Sequence, residues 1–213
     1  MIVAVLALIA VAAIAAALYF ALRGSSSSKS ANKSPGGVEM RVDPAKDAQF
    51  NRLPGVRKMK SPWPPDSAHL DDRLAPLDLK ALSQEQLAYH IHQHLDIYLN
   101  GKHLAVPQCI GILGCYSHFI YLTELHTHRP DGVIHNESET THNYTLGELF
   151  AEWGVFLNKR CVGGYCQGYK WYVNGKRQRG NPQDLVLKAH LEIVFAIGKQ
   201  PKKIPSTYSW NGL

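Results

Sequence analysis

Tyr-His-Ile-His-Gln-His-Leu-Asp-Ile-Tyr-Leu-Asn-Gly-Lys, residues 89–102, is the stretch that decides the fold. Its odd positions, Tyr89, Ile91, Gln93, Leu95, Ile97 and Leu99, are mainly apolar, whereas His90, His92, His94, Asp96 and Tyr98 occupy the even ones. Period-two alternation marks a half-buried strand, so the three histidines share the face opposite the core. Asn100-Gly101 suits a two-residue type I′ hairpin turn, with His103 to Val106 as the returning strand. A short helix over the same residues would instead pair His90 with His94 at i, i+4.

The same grammar extends outward. Tyr169 to Val173 reads as a strand, Asn174-Gly175 as a second type I′ turn, and Lys176 as the return. Phe119 to Leu125 and the run starting at Val133-Ile134 are further strands, and Leu191 to Ile197 is the last. Thr145 to Trp153 is a short helix: Thr145 is the N-cap, Glu148 sits at N3, and Gly154 stops it. Its apolar stripe is Leu146, Leu149, Phe150 and Trp153. Ser83-Gln-Glu-Gln86 fits a capping box and predicts another turn or two of helix. The sum is an α+β fold, a single β-rich domain with a mostly antiparallel sheet and one or two short helices. The arrangement resembles a β-grasp and is preceded by a transmembrane helix.

That helix is expected over residues 1–23. The first 22 residues carry no charge and as a helix would extend roughly 33 Å, against about 30 Å of hydrocarbon. A cleaved leader would start with a basic segment, and none is present, so an uncleaved anchor is the reading. Residues 24–37 form a Ser/Gly linker, 38–80 a Pro-rich extended arm, 81–200 the globular His-rich domain, and 201–213 a tail. Trp63, flanked by Pro62 and Pro64, either anchors the arm in an apolar pocket or lies in an irregular loop. Arg23, Lys29 and Lys33 would lie in the cytoplasm by the positive-inside rule. Against that stand Cys109, Cys115, Cys161 and Cys166, an even count in two close pairs without a CxxC, which suits disulfides in an oxidising compartment. Three connectivities exist, of which two local bridges fit the glycine-rich loops between the pairs. The domain is therefore placed on the extracytoplasmic side of a cell membrane. The net charge of +6 forms no basic stripe interleaved with aromatics, so no nucleic-acid partner is expected.

The chemistry lies in the histidines, nine of whose eleven fall between His90 and His142. The sharpest group is Glu124-Leu-His126-Thr-His128-Arg-Pro-Asp-Gly-Val-Ile-His135. On a strand Glu124, His126 and His128 share a face, and Pro130-Asp131-Gly132 is a turn sequence. With a four-residue loop, His126 faces His135 and the two imidazoles can meet on one ion. With a three-residue loop and a glycine bulge, Thr127 faces His135 and the site falls apart. The expected ligands are His126, His128 and His135, helped by His92 and His94, with Glu124 and Glu137 as flanking carboxylates. Residues 60–213 contain no methionine, which excludes a thioether cuprous site, and oxidised cysteines leave no thiolate for a blue-copper centre. The cofactor is accordingly a copper or zinc ion. A cupin would need a glutamate where Gly132 and Val133 stand.

The run His-x-His-Leu-Asp-Ile-Tyr-x-Asn-Gly, His-Thr-His…Gly-Val-Ile-His and Tyr-Thr-Leu-Gly-Glu-Leu-Phe-x-x-Trp-Gly resembles a group of uncharacterised, N-terminally anchored, His-rich bacterial envelope proteins. The resemblance covers about residues 88–198 and implies location and domain extent, with no assigned activity. The leading expectation is a membrane-anchored metal-binding protein for capture, delivery or sensing. The alternatives are a structural or accessory subunit of a membrane protein complex, and a metal-dependent enzyme with Glu124 or Glu137 as base. No nucleophile elbow or phosphate loop assigns a reaction.

Overall fold

The structure, a computed structural model, describes residues 31–33, 37–210 and 212–213. The expected anchor and most of the linker lie outside these residues. No helix among the described residues is long and apolar enough to cross a membrane. In chain order the elements are β1 (Ala31–Lys33), β2 (Glu39–Arg41), α1 (Pro44–Phe50), α2 (Leu70–Leu77), β3 (Ala81–Leu82), β4 (Tyr89–Leu99) and β5 (Lys102–Leu104). There follow β6 (Ile112–Leu113), β7 (Tyr121–Thr123), β8 (Leu125–His126), β9 (Val133–Ser138), α3 (Leu146–Trp153), β10 (Tyr169–Val173), β11 (Lys176–Arg177) and β12 (Glu192–Ile197). The chain is α+β and β-rich, with three short helices among the described residues.

The main sheet has the order β11-β10-β12-β4-β9-β8, with β5 also paired to β4. Every pairing in it is antiparallel except β12 with β4, which is parallel and aligns Ile193 with Leu95 and Phe195 with Ile97. The expected alternation on β4 is present: Gln93, Leu95 and Ile97 are fully buried in the core, and the histidines occupy the other face. Asn100 and Asn174 have φ of 51° and 50°, and each following glycine is also positive, as type I′ turns require. β7 and β8 divide the predicted 119–125 strand at Glu124, which bends the chain out of one sheet and into the other.

Helix α3 forms as predicted, with Thr145 and Glu148 making a reciprocal capping box and Gly154 in the left-handed conformation at its end. It is buried all round, however, including Glu148 and Glu152. The reason is the segment before residue 80. Instead of a bare extended arm it carries α1 and α2, and its Val38, Met40, Phe50, Trp63, Leu77 and Leu79 belong to the same core cluster as Leu95 and Phe195. Trp63 is 5% exposed and meets Trp153 edge-on at 6.0 Å. Its carbonyl accepts from Trp153 Nε1, and the Asp66 amide donates to the Trp153 carbonyl. The two terminal nitrogens of buried Arg73 donate to the Pro54 and Asp66 carbonyls and to the Asp66 carboxylate. The core therefore starts at Val38, not near residue 81.

The helix predicted at Ser83–Gln86 does not form; residues 83–88 run irregularly. There the Gln86 amide donates to Glu137 Oε2 at 3.2 Å, a tertiary partner that replaces the local capping bond. Cys109–Cys115 and Cys161–Cys166 are disulfides, the two local bridges expected. The tail returns over the sheet: Ile204 packs with Tyr98, Tyr172 and Val194, and Gln200 donates to the Tyr172 hydroxyl.

Because Trp63 fills the core beside α3, Trp63→Ala should destabilise the full chain by about 3–5 kcal/mol, read from urea denaturation. A loss below about 1 kcal/mol, the range of ordinary surface changes, would return this segment to the role of a spacer. A fragment starting at residue 80 should unfold without a cooperative transition.

Candidate metal centre

Three adjacent strands build the histidine face. On β4, His92 is the cross-strand partner of His135, and His90 that of Glu137. On β8, His126 is the partner of His135. His92, His135 and His126 thus form one row across three strands, where directly opposed Cβ atoms approach to about 5 Å. The four-residue loop Arg129–Gly132 sets that register. Gly132 has φ +84°, and a Cβ there would lie 2.4 Å from the Leu95 carbonyl, so only glycine fits. The Val133 amide donates to Asp131 Oδ1, closing the turn.

His126, His128, His135 and Glu137 each offer a donor atom, all within 4.8 Å of one another. His126 is fully buried. Its Nδ1 lies 2.7 Å from the Thr123 carbonyl, which can only accept, so Nδ1 carries the proton and Nε2 is left with its lone pair. That Nε2 points at His128 Nε2, 3.0 Å away, and lies 3.6 Å from Glu137 Oε1. His135 Nδ1 is 3.2 Å from the same oxygen. Two donors each about 2.1 Å from a tetrahedral zinc lie about 3.4 Å apart, so these separations match a metal shell. Backbone anchoring of the non-ligating nitrogen of His126 is the usual way a ligating imidazole is oriented.

A second group, His90, His92 and His135, adjoins the first. His90 Nε2 lies 3.0 Å from Glu137 Oε1, and the His92 and His135 rings are 4.6 Å apart, edge to face. His90 and Glu85 are the residues that sequence reasoning left out. Glu85 Oε1 lies 3.0 Å from His128 Nε2. His90 shared the parity of His92 all along; Glu85 had no signal, since it sits in the segment expected to be helical.

Two expected members stand apart. His94 is 37 residues from Asp131 in sequence, yet its Nε2 donates to the Asp131 carbonyl at 2.8 Å, while its Nδ1 lies 2.9 Å from Glu192 Oε2. Both nitrogens are engaged, and His94 groups with Asp96 and Glu192 instead. Glu124 turns toward the core, where it accepts from the Tyr144 hydroxyl at 2.6 Å and the Lys80 amide at 3.1 Å. His190 lines the cleft beside His90 and His92, and its amide donates to the His92 carbonyl. The C-terminal segment covers part of this face: Tyr208 stacks on His94 at 4.0 Å, and Trp210 on His190 at 4.6 Å.

Burial keeps three of the imidazoles, His92, His126 and His135, neutral. Desolvation, reinforced by His135 and His90, pushes His92 down to about 4. Desolvation with His128 does the same to His135, also about 4, and holds His126 far below the usual histidine range. Burial likewise raises Glu137, against the pull of His90. At His94 burial opposes the cation, but the Glu192 carboxylate outweighs it and raises the pKa. Neutral imidazoles are the form a metal needs.

These shifts set a pH dependence for the metal-free protein. An unfolded histidine takes up a proton below about 6.5, whereas His92 and His135 resist it until about 4. Their contribution to stability is complete above the unfolded value and is lost as pH falls from there toward 4. His94 works in the opposite sense, contributing below its unfolded value and losing that as pH rises through its raised one. In the metal-free chain the imidazole proton resonances of His92 and His135 should stay at their neutral positions between about pH 7 and 5.5, read by NMR; titration of both near 6.5 would contradict the buried neutral cluster. In comparison with known proteins, no protein-family model matches the chain, and no curated protein or solved structure is significantly similar to it.

Proposed function

We propose that the chain is a membrane-anchored, extracytoplasmic protein that binds a transition metal, Zn²⁺ or Cu²⁺, through His126, His128, His135 and Glu137. Its task is metal capture, delivery or sensing. The observation that carries this reading is the set of four donors within 4.8 Å of one another, one of them an imidazole whose tautomer is set by a backbone carbonyl. The donor chemistry is nitrogen with one oxygen, which suits zinc and cupric copper over calcium or magnesium. Both cysteine pairs are oxidised and no free cysteine remains, so thiolate ligation is not invoked. Disulfides also fit the compartment outside the cytosol. The cleft beside His128 and His135, lined by Arg129, Asp131 and Val133, gives an ion a way in and out, as capture and delivery require.

The envelope location rests on the uncharged N-terminal run and on the resemblance to anchored envelope proteins. The β-grasp reading draws support from the strand order β9-β4-β12-β10-β11 around a parallel central pair, with α3 between β9 and β10 in sequence. A second reading, an accessory subunit of a membrane complex, is favoured by the exposed side chains of Tyr116, Phe119 and Ile120 next to one disulfide. We assign no reaction.

Metal analysis of the detergent-solubilised full chain separates the two readings. After loading with ZnCl₂ or CuSO₄ and desalting, the metal-binding reading expects retained metal, and the accessory reading expects none. His128, about one-third exposed in its side chain, can be changed with little damage to the fold. His128→Ala should weaken the affinity about tenfold or more, measured by competition with a chromophoric chelator. Unchanged affinity would remove His128 from the shell.

A further inference from the structure

We infer that the histidine face holds two metal ions, the second on His90 and His92, with Glu137 as the bridge between them. The inference rests on the reading of the first group as a metal site. Its starting point is a surplus of donors. Five imidazoles and a carboxylate converge here, more than the four that a tetrahedral ion takes. They divide by geometry into His126 with His128, whose Nε2 atoms are 3.0 Å apart, and His90 with His92, whose rings are 4.5 Å apart. His135 stands between, 4.6 Å from the rings of both His92 and His128.

Glu137 links the halves. Its Oε1 lies 3.0 Å from His90 Nε2, 3.2 Å from His135 Nδ1 and 3.6 Å from His126 Nε2. Its Oε2 accepts from the Gln86 amide, which holds the carboxylate in place. A neutral imidazole lends its lone pair to one ion only, so His135 serves the first ion with His126 and His128. The second ion takes His90, His92 and the shared Glu137 oxygen. A carboxylate with its negative charge between two cations is what lets ions sit about 3.5–4 Å apart in two-metal sites.

An independent observation marks the second position. His92 is 6% exposed, and its Nε2 is buried without a hydrogen-bond partner among the described residues. Buried polar nitrogens are ordinarily satisfied; an ion at this position supplies the missing partner. The cleft lined by His90, His92 and His190 leaves the remaining coordination positions of the second ion open to water or a small anion, unlike the first ion, which has four protein donors.

The test uses the full chain with its disulfides intact, titrated with Zn²⁺ or Cu²⁺ alone. Two equivalents retained after desalting are expected, falling to one in His90→Ala/His92→Ala. With Cu²⁺, the electron paramagnetic resonance intensity should grow to one spin per chain and then fall as the second equivalent couples to the first through the Glu137 oxygen. This measurement needs no variant, so it stands even where the double substitution harms folding. Saturation at one equivalent would overturn the second position and leave the first intact. Two equivalents retained by the double variant, or two uncoupled spins at saturation, would also overturn it. Retention of no metal would overturn this inference together with the proposed function.

Discussion

β4 is hydrogen-bonded along both of its edges, antiparallel to β9 on one side and parallel to β12 on the other. The pairing commits its odd positions to the core, where Leu95 and Ile97 are fully buried and contribute about 1.5–3 kcal/mol each. A slip of one residue would exchange the two faces, driving His92 and His94 into the core and Leu95 into the polar cleft. The apolar side of the strand thus holds the polar side in register. Since His92 and His126 flank the same partner, His135, the geometry of the imidazole row is inherited from core packing on the far side of the sheet.

That arrangement has an energetic cost on the polar side. His126 and Glu137 are fully buried, and His92 nearly so. Each must stay neutral or find a partner of opposite charge, because an isolated buried ion is strongly disfavoured. The protein meets this with few internal partners. The Thr123 carbonyl holds one nitrogen of His126 and the Gln86 amide one oxygen of Glu137, while the remaining donor atoms face one another. His94 shows the contrasting solution: both of its ring nitrogens have internal partners, the Glu192 carboxylate and the Asp131 carbonyl. The two styles lie two residues apart on one strand. One is satisfied internally and the other is poised for something from outside.

What was legible in the sequence follows from range. Local signals read true: the β4 alternation, both Asn-Gly turns, the Thr145–Glu148 cap and the Gly154 stop all rest on contacts within a few residues. The Pro-Asp-Gly turn narrowed the register of His135 to two alternatives, and packing of Gly132 against Leu95 selects between them. The choice of His90 over His94 depended on pairing β4 with β9, which nothing local encodes. Prolines mask helical periodicity in residues 38–80, as Pro76 does within α2, so the sequence there suggests an extended arm. Asp43-Pro44, a cap followed by proline at N1, was nonetheless a start signal for α1. Glu124 lies at a bend between two sheets, so strand parity assigned it to the wrong face.

The four tryptophans are unequally placed. Trp63, Trp153 and Trp171 are sealed in the core, whereas Trp210 lies half-buried against His190, on the imidazole side of the molecule. Indole emission responds to polarity and is quenched by nearby paramagnetic ions. The chain therefore carries two optical channels without any label: a blue-shifted one that reports the integrity of the core, and one from Trp210 that reports what arrives at the histidine face.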